Sequence, residues 1–202
     1  MNRVLFACAG GTVVLPDAMS TLVNREDGGQ LIVNPPRPVW ERSELDAEEL
    51  ALFSFLVAAT ARAMIDALPQ LRDGCVNYWE AGNWALNDAA EPVGPKLPRQ
   101  YRNLHLHLLG RSPAATSPAW RWGESPKFPE FKDREAASAG ATQLRPDECR
   151  DVLARAANAL RNRYGMQAHQ IAPWAPCVRC GYPALVSEAR PDLLCMECTS
   201  DG

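Results

Sequence analysis

Apolar and polar residues alternate strictly along residues 103–108, which read Asn-Leu-His-Leu-His-Leu. A period of two predicts a β-strand, because successive side chains of an extended chain point to opposite faces. The leucines are therefore expected to face a core, while Asn103, His105 and His107 share the other face. Two of the chain's three histidines would then lie side by side on one strand.

Two longer segments follow the 3.6-residue period of an amphipathic helix. The first begins at a capping-box pattern, Asp46 with Glu49, and is expected to stop at Pro69. The second is predicted over residues 146–164, since its leading proline suits a first helical turn and the following glycine favours a stop. A short apolar run at residues 2–8 is predicted to be the first strand.

A stretch rich in proline and aromatic residues, 113–131, follows the histidine strand. It is too long for a passive turn, so we expect a folded loop packed beside the histidines. Trp120 and Trp122 from this stretch, together with Trp79 and Trp84 upstream, could stack on a nucleobase or pack in the core. The sequence leaves both roles open.

The C-terminal tail contains two Cys-x-x-Cys pairs, Cys177 with Cys180 and Cys195 with Cys198. Four thiolates at this spacing suit a tetrahedral zinc ion and predict a zinc ribbon. Because four protein ligands leave no open coordination position, the zinc is expected to be structural. Two disulfides are the alternative, and they would require an oxidising compartment.

Composition sets broad limits on the class of protein. The chain has 202 residues, 47% hydrophobic and 22% charged, with a net charge of −3. These values predict one ordinary domain, residues 1–165, and a small appendage, residues 166–202. No continuous apolar stretch approaches the roughly 20 residues of a membrane span, and the N-terminal run is too short for a signal sequence, so we expect a cytoplasmic protein. The other cysteines are interpreted as small buried thiols: Cys8, Cys75 and Cys149.

Four segments together resemble the signature of the histidine-triad (HIT) superfamily of nucleotide hydrolases and transferases. They are residues 24–33, 36–39, 77–84 and 103–111. The resemblance covers residues 1–165 and implies an α+β fold, with a mainly antiparallel sheet and helices on one face. The zinc ribbon would follow this domain.

The resemblance also implies a role for each matching residue. His105 falls on the family's central histidine, which attacks the α-phosphorus of a nucleotide, and His107 falls on the last histidine, which contacts the same phosphate. Asn77 matches an asparagine on the phosphate or ribose side, and Gly82 with Asn83 matches the family's Gly-Gln pair. The implied activity is that of a nucleotide hydrolase or nucleotidyltransferase with a covalent nucleotidyl-histidine intermediate and a small-molecule nucleotide substrate.

The residue types suit this chemistry. A neutral imidazole offers one free lone pair near physiological pH, which His105 could use as a nucleophile. Transition states of phosphoryl type spread charge over the equatorial oxygens, so His107, Asn77 and Arg111 are candidate donors. Which nucleotide is the substrate, and whether water or another acceptor resolves the intermediate, stay open.

The chain departs from the family pattern at two points. Asn103 replaces the first histidine of the triad, which is tolerable because that histidine is not the nucleophile. Residues 86–102 separate Asn83 from the histidine strand. A loop of that length could move Asn83 away from the phosphate.

Other interpretations compete with the enzyme. The alternation of histidine and leucine alone would also fit a strand with one solvent-exposed polar face, or a metal-binding pair of histidines. An adaptor or nucleic-acid-binding protein could use the zinc ribbon as its reader, as the aprataxin branch of the superfamily joins this fold to a zinc finger. A catalytically silent nucleotide binder is the third class, and the substitution at Asn103 allows it.

Charge argues against strong nucleic-acid affinity. The tail, residues 166–202, carries two basic residues against four acidic ones, whereas phosphate contacts favour positive charge. Apolar residues in the tail suit a packing or protein-contact module. A homodimer and a protein partner that binds the ribbon are both left open.

Overall fold

The protein is an α+β structure built on a five-stranded antiparallel sheet. The computed structural model describes residues 2–171 together with the backbone of residues 174–176 and 183–185. The sheet has the strand order β1-β2-β3-β5-β4. Its strands are β1 (Arg3–Cys8), β2 (Gly11–Leu15), β3 (Gln30–Asn34), β4 (Cys75–Ala81) and β5 (His105–Arg111).

Two long helices and two short ones accompany the sheet. They are α1 (Ala47–Ala67), α2 (Pro98–Tyr101), α3 (Arg134–Ser138) and α4 (Pro146–Asn162). Single turns of 3-10 helix occupy Ala18–Ser20, Arg25–Asp27, Arg42–Glu44, Pro69–Leu71, Asn83–Leu86, Phe131–Asp133 and Ala168–Gln170. Both predicted helices are confirmed, within a few residues of their expected ends.

The histidine segment forms β5, between β3 and β4, as its alternation predicts. Ile32 of β3 and Trp79 of β4 are the direct neighbours of His107. The leucines on the other face are 0–4% exposed and join the main core with residues of α1 and α4. Burial of these leucines holds the histidine face in a fixed position relative to the helices.

Helix α1 begins at the predicted capping box. The Asp46 side chain accepts from the Glu49 backbone N–H, and the Glu49 side chain accepts from the Asp46 backbone N–H. With 21 residues, α1 is long and apolar enough to qualify as a membrane span by length and composition alone, and half of its most apolar window is buried inside the protein. Its buried residues, which include Phe53 and Met64, belong to the core.

The histidine face of the sheet is covered by loops. Val23, Leu109 and Trp120 form a second buried cluster there. Phe128 lies 4.3 Å from the Trp79 ring, measured between centroids. Trp120 and Phe128 of the predicted loop 113–131 therefore pack on the histidine face beside Trp79, whereas Trp122 is exposed.

The C-terminal part begins with a backbone bridge between Cys8 and Ile171. Strands β6 (Trp174–Pro176) and β7 (Pro183–Leu185) then pair in antiparallel register. The four cysteines of the predicted zinc ribbon, Cys177, Cys180, Cys195 and Cys198, lie outside the described residues, so the ribbon and its boundary remain predictions.

The three cysteines of the described region do not all match expectation. Cys149 is buried and Cys8 is half-buried, but Cys75 is exposed. Cys75 begins β4, which has a neighbouring strand on one side only, and its side chain shares the loop-covered face of the sheet with Asn77. The prediction of a buried thiol is wrong there because an edge strand leaves its end residues open to solvent.

Candidate active site

A cavity of about 310 Å³ opens on the loop-covered face of the sheet, above the two histidines. This volume is at the lower end of the range for small-molecule sites. The cavity is lined by Asn2, Ser20, Leu22, Ile32, Trp79, Ala81, Gly82, Asn83, Trp84, Ala85, Tyr101, Asn103, His105 and His107. Within the described part of the chain, no Asp, Glu, Lys or Arg is among these lining residues.

His105 stands at the start of β5, half-buried at the cavity wall. Its Nδ1 atom is 2.9 Å from the backbone carbonyl oxygen of Asn103. A carbonyl can only accept, so Nδ1 carries the proton in the neutral ring. The lone pair is therefore on Nε2, and His105 has the tautomer that a nucleophile requires.

His107 lies deeper, with 7% of its surface exposed. Its Nδ1 atom is 2.8 Å from the side-chain nitrogen of Gln30. The Gln30 side-chain oxygen accepts from the backbone N–H of Leu22, at 2.6 Å, so its amide orientation is fixed. Gln30 must donate to His107 Nδ1, and the proton of the neutral His107 ring is on Nε2. His107 can then act as a hydrogen-bond donor, in contrast to His105.

The surroundings keep both rings neutral. Burial lowers the pKa of His107 to about 3, and the neighbouring His105 adds to this effect. Burial also lowers the pKa of His105; its bond to the Asn103 carbonyl opposes this shift, and the positive charge of Arg102 contributes to it. The ring centroids are 4.9 Å apart, so one proton donor and one lone pair lie within reach of a single small group.

Aromatic side chains form one wall of the cavity. The Trp79 ring lies 5.0 Å from that of His107, and Trp84 meets Trp79 edge-on at 6.0 Å. Trp120 is buried in the loop cluster, whereas Trp122 is 43% exposed and does not line this cavity. Of the four tryptophans considered from sequence, the structure places only Trp79 and Trp84 where a bound ring could touch them.

The long segment between Asn83 and the histidine strand does not carry Asn83 away. Gly82, Asn83 and Asn103 line the same cavity as both histidines. The Arg102 side chain closes the gap, because its Nε atom donates to Asn83 Oδ1 at 3.1 Å. Residues 86–102 therefore form a long loop whose two ends lie together at the site.

Asn77 and Arg111 lie elsewhere. Both line a separate, more open cavity with Cys75, Trp122 and residues 123–126. Arg111 is 5% exposed, and its guanidinium donates to the backbone carbonyls of Arg121 and Glu124 at 2.8 and 3.0 Å. These bonds attach the proline- and aromatic-rich loop of residues 113–131, hereafter the aromatic loop, to the end of β5. Of the predicted substrate-binding residues, only Gly82, Asn83 and Asn103 share a cavity with the histidines.

Sequence reasoning missed several residues of the site, three of them polar residues that bear on its chemistry. Gln30 and Arg102 contact site residues directly, and Tyr101 lines the cavity. The only signal for Gln30 was a polar residue at the start of an otherwise apolar strand. Arg102 and Tyr101 lie at the end of a segment that had no periodicity.

Within residues 2–171, no group of three or more His, Cys, Asp or Glu side chains is arranged to hold a metal ion. No protein-family model matches the chain, and no curated protein matches it in sequence. The resemblance to the HIT superfamily therefore depends on the motif residues alone.

Proposed function

We propose that the protein is a nucleotide hydrolase or nucleotidyltransferase that acts at an α-phosphate through a nucleotidyl-His105 intermediate. The observation that carries the proposal is that two adjacent imidazoles in one cavity have opposite partners at Nδ1, a carbonyl oxygen for His105 and an amide nitrogen for His107. His105 offers a lone pair on Nε2, and His107 offers an N–H donor on Nε2. Displacement at phosphorus needs such a nucleophile and such a donor together.

The first step forms a bond between His105 Nε2 and the α-phosphorus while the bond from phosphorus to the leaving group breaks. The leaving group departs with that electron pair. In the second step, water or another acceptor attacks the phosphorus and the P–N bond breaks. The electron pair of the P–N bond returns to Nε2, the proton of the acceptor passes to the released leaving group or to solvent, and His105 is regenerated in the neutral form.

Hydrogen-bond donors would stabilise the charge that spreads over the equatorial oxygens of the phosphate. His107 Nε2–H is positioned by Gln30, and the amide of Asn83 reaches the same cavity. Donors that are fixed before the reaction need no reorganisation during it, which is the usual source of the largest electrostatic contribution.

The walls of the cavity suit a nucleoside. Trp84 and Tyr101 supply flat faces for a base, and Leu22 and Ile32 supply apolar contacts. The uncharged lining favours stacking and hydrogen bonding as the means of binding. These features support a small-molecule nucleotide as the substrate, and they do not discriminate among dinucleoside polyphosphates, phosphoramidates and sugar nucleotides.

Covalent labelling tests the proposal. Purified protein is incubated with radiolabelled adenosine 5′-phosphoramidate or diadenosine tetraphosphate and quenched in base, which preserves a P–N bond. We expect an adduct that maps to His105, and neither adduct nor turnover in His105→Ala. His169→Ala is the matched control, because His169 is exposed and remote in sequence from the cavity. Equal labelling of wild type and His105→Ala would refute the nucleophile.

We also propose a structural zinc ion in the C-terminal tail. The support is the sequence pattern of Cys177, Cys180, Cys195 and Cys198, which provides four thiolate ligands. Metal binding would contribute much of the folding free energy of such a short segment.

A further inference from the structure

Arg102 occupies the space between the end of β4 and the start of β5. Its side chain is 10% exposed, and its Nε donates to Asn83 Oδ1. One terminal nitrogen donates to the Trp40 carbonyl and, at 3.1 Å, to Glu41 Oε2; the other lies 3.6 Å from Glu80 Oε1. The guanidinium is therefore held on three sides, and its contact with Asn83 has a defined geometry.

The path of the Arg102 stem is fixed by a glycine. A Cβ atom on Gly82 would lie 2.9 Å from Arg102 Cγ and 2.8 Å from the Asn103 carbonyl oxygen. Gly82 also has φ +128°, a conformation that other residues rarely adopt. The absence of a side chain at residue 82 lets the arginine pass over the backbone and reach the next residue.

This contact determines the orientation of the Asn83 amide. A guanidinium has donors only, so the Asn83 atom that faces Arg102 must be the oxygen. The amide nitrogen, with its two protons, is then left for the cavity that Asn83 lines. Asn83 is otherwise an exposed residue, and an exposed amide without such a partner rotates freely.

The charges around Arg102 are balanced. Glu41 accepts a hydrogen bond from it at 3.1 Å, and Glu80, an ion-pair partner 3.6 Å away, is also paired with Arg42 at 2.6 Å. Arg102 is therefore committed to these carboxylates and the Asn83 oxygen, and it does not line the cavity itself. Its effect on a ligand has to pass through Asn83, or through the field that it exerts on His105.

We propose that Arg102 is a positioning residue that holds the Asn83 amide with its N–H groups directed at the phosphate, without touching the substrate. The inference rests on the proposed function, since Asn83 then donates to the phosphate attacked by His105. It also gives a reason why the two ends of residues 86–102 lie close together. Arg102, at the end of this segment, orients Asn83, which precedes its start.

Kinetics on four variants test the coupling. Asn83→Ala should lower kcat for adenosine 5′-phosphoramidate roughly 100-fold, the usual loss for one transition-state donor. Arg102→Met should lower kcat at least about tenfold, and by much less in the Asn83→Ala background, because two residues of one unit are not additive. Arg42→Met is the control: it pairs with the same Glu80 but makes no contact with Asn83, and kcat should be unchanged. Equal losses from Arg102→Met in both backgrounds would overturn the proposal.

A second readout needs no turnover, so it separates this inference from the proposed function. NMR of the ligand-free protein should show the Asn83 side-chain N–H groups with restricted motion in wild type, and averaged motion in Arg102→Met and Arg102→Lys. Lysine keeps the charge but lacks the fork that bonds Asn83, Glu41 and the Trp40 carbonyl together. The pKa of His105 should therefore rise in Arg102→Met and stay near the wild-type value in Arg102→Lys.

The outcomes distinguish the two ideas. Restricted Asn83 motion that depends on Arg102, in a protein that forms no His105 adduct, would sustain the positioning role and refute the enzyme. An Asn83 amide that is equally mobile in wild type and Arg102→Met would refute the positioning role, whatever the adduct experiment shows.

Discussion

The amide of Gln30 donates to Nδ1 of His107 across 2.8 Å, and this bond decides which nitrogen of the imidazole carries the proton. The orientation of the amide is itself fixed, because the Leu22 and Val23 backbone N–H groups donate to its oxygen at 2.6 and 3.4 Å. Gln30 is 2% exposed, so water does not compete for these groups. A residue of β3 thereby sets the chemical character of a residue of β5.

Gln30→Glu should invert this arrangement. A carboxylate accepts only, so it would draw a proton to His107 Nδ1 and favour the charged ring. We expect the pKa of His107 to rise, and Nδ1 to be protonated at neutral pH in the variant. Long-range ¹H–¹⁵N NMR of the imidazoles reports the tautomer directly. A wild-type ring with its proton on Nδ1 would contradict the assignment.

The depressed pKa of His107 predicts a stability difference at low pH. Burial holds the pKa near 3 in the folded state, against about 6.5 for a free histidine, so the unfolded chain takes up the proton first as pH falls. The stability contribution is complete above the unfolded value and is lost as pH falls toward the folded value. Relative to His107→Gln, wild type should lose about 1.4 kcal/mol per pH unit between about pH 6 and 4. Denaturant unfolding at several pH values measures it; parallel curves for the two proteins would refute the neutral buried ring.

Local patterns predicted the parts of the fold that depend on local chemistry. The alternation of polar and apolar residues in the histidine segment predicted a strand with two distinct faces, and the Asp46–Glu49 pair predicted the start of α1. Gln30 could not be assigned in the same way, because it lies 77 residues from His107 in the chain and meets it only through strand pairing. Arg111 was grouped with the histidines since it follows them on one strand, yet a strand of this length places its two ends about 20 Å apart.

The backbones of Gly110 and Gly28 approach each other closely, which explains why residue 110 is a glycine. A Cβ atom on Gly110 would lie 2.1 Å from the Gly28 carbonyl oxygen, so the backbone would have to move. Gly110→Ala should cost about 2 kcal/mol or more. Gly94→Ala is the control, because a Cβ there meets nothing within 4 Å and only its φ of +117° opposes the change, at about 1 kcal/mol. Chemical denaturation compares them, and equal losses would contradict the packing account.

The aromatic loop is connected to the site by hydrogen bonds. Trp120 Nε1 donates to the Leu22 carbonyl at 2.7 Å, and the backbone N–H of Leu22 donates to Gln30 Oε1 at 2.6 Å. Trp120→Phe would leave that partly buried carbonyl without its donor, which costs about 1 kcal/mol. We expect this loss of stability together with weaker restraint of the His107 tautomer, seen as exchange broadening of its ring signals. Unchanged ring signals would show that the loop stabilises the fold without restraining the site.

Zinc binding can be tested apart from the nucleotide chemistry, because the four cysteines come after residue 171 in the sequence, whereas the histidines lie on β5. We expect one zinc ion per chain in protein purified without chelator, measured by atomic emission. Cys177→Ser combined with Cys198→Ser should abolish zinc binding, since loss of one thiolate from each pair leaves too few ligands for a closed site.

Cys75→Ser is the control: Cys75 is exposed and free, and its loss should leave the stoichiometry at one zinc ion per chain. Adduct formation at His105 should survive in the double variant, because the described core of α1, α4 and the sheet contains none of the four cysteines. Zinc content that falls only in Cys75→Ser, or that persists in the double variant, would place the metal elsewhere.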